Sequence, residues 1–221
     1  MARFAVIVAL QSILFSSLAW GDEASAIKAL DALGAKIERD ETKPGKPVSR
    51  VNFFGTKVTD AHLRELKELK HLQDLRLDYS QITDAGLKEL EGLKELTLLS
   101  LGGTKLTDLG MKTLKNLKQL KMVMLDETGI TDSGLAELKN LTQLTLLNLN
   151  FTNVTDKGVK ELKELKELTL LALRSTKVTD KGIQELKGLT KLTSLGLEST
   201  AVTDRGVAEL QAALPKCKIS R

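Results

Sequence analysis

Aspartate is the side chain whose spacing first suggests chemistry. Asp60, Asp84, Asp108, Asp132, Asp156, Asp180 and Asp204 recur every 24 residues, each directly after a threonine. Carboxylates on successive coils about 4.8 Å apart would be close enough to share cations. A dedicated calcium site, however, converges about six to eight oxygens on one point, and one acid per coil does not do that. The period points instead to a structural task. Threonine is a good helix N-cap, and an aspartate in the first turn complements the helix dipole. Other reactive types are sparse. His62 and His71 fall on polar helical stretches with no pocket for a general base. Cys217 is the one cysteine, which excludes an internal disulfide and argues against a structural zinc site. No Gly-x-Ser-x-Gly, phosphate loop, dinucleotide fingerprint or His-Glu-x-x-His occurs. The expectation is a non-catalytic chain with no cofactor and no metal.

Blocks of 24 begin at Val48, Leu72, Leu96, Leu120, Leu144, Leu168 and Leu192. Apolar residues hold block positions 1, 4 and 6, then 11, then 16, 19 and 22. The first group reads as a short strand and the last as a short helix or 3₁₀ segment. Each unit is thus a strand, a turn and a helical return, repeated seven times. Ser or Thr at Thr56, Ser80, Thr104, Thr128, Thr152, Thr176 and Thr200 sits where backbone groups lose strand partners and a hydroxyl can bond them. The glycine two residues after each Asp allows close approach between coils. His62 stands in its place in the first unit, which suggests looser packing at that edge. Returns such as Leu162 to Leu168 alternate Lys and Glu, as a solvated face does.

The pattern Leu-x-x-Leu-x-Leu-x-x-Thr-x-Ile/Val-Thr-Asp-x-Gly-Leu resembles the leucine-rich repeat. The Thr-Asp-x-Gly-Leu part is similar to the cysteine-containing and ribonuclease-inhibitor-like subgroups, with Ser or Thr where the family usually has Asn or Cys. Together with the Lys-Pro-Gly-Lys-Pro-Val start and the Leu-Pro-Lys-Cys-Lys-Ile ending, the layout resembles exported leucine-rich repeat proteins abundant in planctomycete-type bacteria. The resemblance covers residues 48 to 221 and implies a right-handed α/β solenoid, with parallel strands on the concave face and short helices on the convex face. It says little about function.

Period-two alternation turns block positions 3, 5 and 7 toward the concave face. There, free of the packing constraint, the residues differ between copies. Leu98, Met122, Met124, Leu146, Leu170 and Ala172 form an apolar patch on the middle units, and Arg76, Asp78, Asp126, Asn148, Asn150, Arg174 and Glu198 surround it. Position 8 adds Tyr79, Glu127 and Phe151 on the rim. An apolar patch with a polar border reads as a protein-interaction surface, and methionine suits adaptable contacts. Tyr79 and Phe151 are the expected anchors. Mutual cover along a parallel sheet is the competing reading of the same apolar residues. The net charge of +4 is spread over mixed Lys and Glu, which argues against a nucleic-acid partner.

The ends differ from the array. Residues 1–21 carry one charge, Arg3, a mostly apolar run from Phe4 to Leu18, and Ala19-Trp20-Gly21 before Asp22. That is the layout of a secretory signal peptide cut after Gly21, and the run is short for a permanent membrane anchor. Export to the periplasm, envelope or medium follows as an expectation, with membrane association only if the segment stays uncleaved. Residues 22–47 read as a helix and strand cap, 48–215 as the seven repeats, and 216–221 as a closing strand with Cys217 inward. The expected function is an exported protein-binding module. The alternatives are an envelope protein whose regularity is its role and, less favoured, an F-box-type adaptor, for which residues 22–47 are too short.

Overall fold

The structure is a computed structural model and describes residues 23–221; the expected signal segment lies outside these residues. Helix α1 (residues 23–32) ends in Gly34, whose φ of +83° lets its amide and that of Ala35 turn back to Asp31 and Leu30. Strand β1 (Lys36–Arg39) then pairs antiparallel with β2 (Val48–Asn52). From β2 onward every neighbour is parallel: β3 (Asp74–Arg76), β4 (Leu98–Ser100), β5 (Met122–Met124), β6 (Leu146–Asn148), β7 (Leu170–Ala172), β8 (Ser194–Gly196) and β9 (Lys218–Ser220). The register advances by one unit at each step, as in Val51↔Leu75, Leu75↔Leu99 and Leu195↔Ile219.

The returns are helices α2 (Asp108–Leu114), α3 (Asp132–Leu135), α4 (Asp156–Glu161), α5 (Asp180–Gln184) and α6 (Asp204–Ala213), with 3₁₀ segments at Asp60–Glu68 and Gly86–Leu90 and after α3, α4 and α5. Three-residue spacing of the leucines suits 3₁₀ geometry, which stacks i over i+3. Leu63, Leu66, Leu69 and their counterparts meet Leu72, Leu75 and Leu77 and theirs in one continuous core. Each such buried side chain contributes about 1.5–3 kcal/mol relative to exposure. The parallel strands, short returns and single stacked core make this the expected α/β solenoid. Among the described residues, no helix is long and apolar enough to cross a membrane.

The Thr-Asp pairs join the coils. In six steps from Asp60 to Asp180, the carboxylate accepts the amide and the hydroxyl of the next coil's threonine. Thr83 N and Oγ1 reach Asp60 at 2.8 and 2.6 Å, and Thr203 reaches Asp180 at 2.7 Å in both bonds. The dipole reading of these aspartates is therefore incomplete: the acid serves mainly the neighbouring coil. The glycines follow from this. A Cβ at Gly158 would lie 2.5 Å from Asp132 Oδ1. The first coil has no aspartate before it, so His62 fits, and its Nδ1 accepts the Thr59 amide at 3.0 Å. His62 Nδ1 thus takes the place of the missing aspartate as the acceptor for the Thr59 amide. At the other end Asp204 pairs with Arg221. The hydroxyl row behaves more locally. Thr104 Oγ1, for one, donates to Leu101 O within its own turn at 2.6 Å.

Candidate functional site

The strands β2 to β8 present side chains at positions 3 and 5 on their concave face, and positions 7 and 8 lie at the corner where each strand ends. The floor is more closely covered than alternation alone suggests. Met122, Met124, Leu146, Leu170 and Ala172 are half-buried, and Leu98 is buried at 7% exposure. Parallel stacking sets each of these against its neighbour one strand away, as Leu98↔Met122 and Met122↔Leu146. Leu98 therefore offers little contact area. The apolar floor is continuous but shallow.

The polar candidates divide in two. Arg76 turns to Asp74, with Nε 3.1 Å from Oδ1, and Arg50 approaches the same acid at 2.7 Å. This buried carboxylate raises the Arg76 guanidinium, chiefly through their hydrogen bond. Arg76 is thus engaged within the sheet. Asp78 accepts Ser100 Oγ and the Gly102 amide, Asn148 Nδ2 donates to Asp126 at 2.8 Å, and Asn150 Oδ1 accepts the Arg174 amide at 2.8 Å. Burial, followed by the charges of Asp78 and Glu127, pushes the Asp126 carboxyl up. Glu198 is held down by its own backbone amide, then by Ser220.

The rim is where the surface opens. Every position 8 adopts left-handed backbone: Gly55, Tyr79, Gly103, Glu127, Phe151, Ser175 and Ser199, with φ between 54° and 67°. For a non-glycine residue this conformation costs roughly 1–2 kcal/mol, and it throws the side chain outward. Tyr79 and Phe151 are each 48% exposed. Phe54, a position 7 residue not among the sequence candidates, is 63% exposed and meets Tyr79 edge-on, with ring centroids 5.5 Å apart at 73°. The Tyr79 ring lies across Gly103, where a Cβ would come within 2.6 Å of Cε1, and its hydroxyl donates to Glu127 at 2.9 Å. Arg174 lies 5.4 Å from the Phe151 ring centroid. Three of the four aromatic residues in the described chain are thus exposed on one rim, while Phe53 fills the core. Phe54 was legible in principle: it is a phenylalanine at a slot that is otherwise polar or glycine.

The remaining reactive groups lie elsewhere. His71 contacts Glu95 at 2.8 Å on the convex side, and burial pushes the Cys217 thiol up. Among the described residues no group of three or more His, Cys, Asp or Glu is placed to hold a metal ion.

The family profile described as a leucine-rich repeat region matches residues 48–219. The chain belongs to the leucine-rich repeat family. Its fold is similar to internalin C2 from Listeria monocytogenes, at 28% identity and a TM-score of 0.65, over 78% of this chain and 70% of the internalin. A second Listeria monocytogenes internalin, inlF, is 25% identical with a TM-score of 0.56, over 74% of this chain. The match spans about half, 51%, of that internalin's length. No curated protein matches the sequence at a significant level. Leucine-rich repeat folds are typical of protein-binding modules and typically non-catalytic.

Proposed function

We propose that this leucine-rich repeat chain is an exported, non-catalytic protein-binding module that engages its partner through the concave face and the aromatic rim at the strand ends. The observation that carries the reading is the exposure of Phe54, Tyr79 and Phe151 together on one rim of an otherwise aliphatic chain. Exposed aromatic rings bordered by charge are typical anchors of protein interfaces. Export rests on the composition of residues 1–21.

Affinity capture with the parent chain and with Met122→Glu/Met124→Glu tests the binding face. Loss of the captured partner in the variant supports the assignment, and identical partners defeat it. Mass spectrometry of the mature N-terminus tests export. An N-terminus at Asp22 is expected, and an intact Met1 in a soluble cytoplasmic fraction overturns it.

A further inference from the structure

The centre of the concave face combines three features that are separate elsewhere on the molecule. Its floor is apolar and half-buried, from Met122 and Met124 to Leu146. An exposed aromatic ring, Tyr79, stands at its edge with its hydroxyl on Glu127. Between them lie Asp78 and Asp126, both against Gly102: Asp78 accepts the Gly102 amide at 3.1 Å, and a Cβ on Gly102 would come within 3.0 Å of both Asp126 oxygens.

The charge pattern selects a partner chemistry. Among the described residues, no Lys, Arg or His nitrogen lies within ion-pair distance of Asp78, Asp126 or Glu127. Four residues before Asp78 in the same coil, by contrast, Asp74 has two guanidinium partners, Arg50 and Arg76. The chain as a whole is basic, at +4. Three carboxylates with no ion-pair partner stand beside an exposed ring against that composition, and the Asp78 charge also acts on Arg76. The charges of Asp78 and Glu127 and the partial burial of Asp126 all disfavour the Asp126 carboxylate, and a cation placed beside it relieves that cost. A lysine or arginine suits this place in both of its parts. Its charged head meets the carboxylates, and its alkyl stem and cation meet the Tyr79 ring. The floor beside it accepts apolar side chains, and methionine adapts to their shape.

We infer that the concave face docks a partner protein segment in which a lysine or arginine, flanked by apolar residues, enters between Tyr79, Asp126 and Glu127 while its neighbours cover Met122 and Met124. This deepens the protein-binding reading and rests on it.

The test is selection of displayed random twelve-residue peptides on the full chain, followed by fluorescence polarisation with the enriched peptides. Enrichment of one Lys or Arg within an apolar frame is expected. So is at least a tenfold loss of affinity both when that residue becomes norleucine and in Asp126→Asn/Glu127→Gln. Glu127→Gln alone is expected to lose part of it, and circular dichroism checks that both variants remain folded. Affinity should fall as salt rises. Enriched peptides without a basic residue, still lost in Met122→Glu/Met124→Glu, overturn the basic-segment inference and leave the protein-binding face standing. Peptides indifferent to Met122→Glu/Met124→Glu, or no enrichment at all, overturn both. Concentration-dependent self-association in sedimentation, abolished by Asp126→Asn/Glu127→Gln, would assign the face to a second copy and also overturn the inference.

Discussion

Asp132 Oδ1 accepts the Thr155 amide at 2.8 Å while its Oδ2 accepts the Thr155 hydroxyl at 2.7 Å, so one carboxylate holds both the backbone and the side chain of the next coil's helix cap. Six such pairs convert a local capping signal into an inter-coil joint, each step linking residues 23 apart.

Removing one joint should be felt by the array as a whole, because a solenoid is stabilised by its neighbour interfaces. Asp132→Ala leaves the Thr155 amide and hydroxyl without their partner. A loss of about 1–3 kcal/mol is expected, read as a lower urea midpoint. Asp132→Asn keeps one acceptor oxygen and should lose less.

Glycine substitutions separate close approach from simple flexibility. Gly158→Ala drives a Cβ against Asp132, and it should destabilise by about 1–3 kcal/mol through overpacking. Gly92→Ala meets nothing within 4 Å. It should be neutral or stabilising by up to about 1 kcal/mol. Thermal unfolding of the two variants side by side checks the contrast.

Tyr79 is the chain's one tyrosine, so its titration can be followed by ultraviolet absorbance without interference. Its hydrogen bond to Glu127, then the Glu127 charge, raises the phenol above its usual value of about 10. Glu127→Gln should bring the transition down. Gly103→Ala should do the same, by pushing the ring off its seat. An unchanged titration in both would show that the contact does not persist in solution.

Acidification acts on Asp180 and on Asp126 with opposite signs. The Thr203 amide and then its hydroxyl hold the Asp180 carboxyl below the usual range. A depressed folded-state pKa contributes stability above the unfolded value of about 3.9, and that contribution is lost as pH falls through the lower folded value. Asp126 is raised, first by burial and then by Asp78 and Glu127. Its contribution is present below the unfolded value and is lost as pH rises through the folded one. Asp126→Asn should therefore be more stable than the parent at pH 7, by up to about 1 kcal/mol, with the difference closing near pH 3. Thermal melts at the two pH values check this. A variant that gains stability while losing partner affinity would identify Asp126 as a residue retained for binding.

The rim and the joints differ in how far they could be read in advance. Leu72, Leu75 and Leu77 announce a strand by alternation, and Leu63, Leu66 and Leu69 announce a tight return by their three-residue step. Thr-Asp also announced its cap. Its second partner was hidden, because Asp132 meets Thr155 only when two coils stack at one-strand spacing. In the repeat pattern Tyr79 and Glu127 are separate rim residues. Their contact crosses 48 positions and depends on Gly103 leaving room for the ring.

Repetition along the chain is enough to define the unit, its register and the resemblance to the leucine-rich repeat. Each coil meets the same packing problem, so the same residue types return at the same slots, and the period alone assigns every residue to a face. How open those faces are emerges when the coils stack, and the tertiary structure sets it. It closed over Leu98 and half-covered the methionines, because parallel strands set each side chain against its copy one strand away. It also turned position 8 into left-handed backbone at every corner, which carries Tyr79 and Phe151 outward. Exposure depends on curvature and on the neighbour one coil away, and neither is a property of the repeat unit alone.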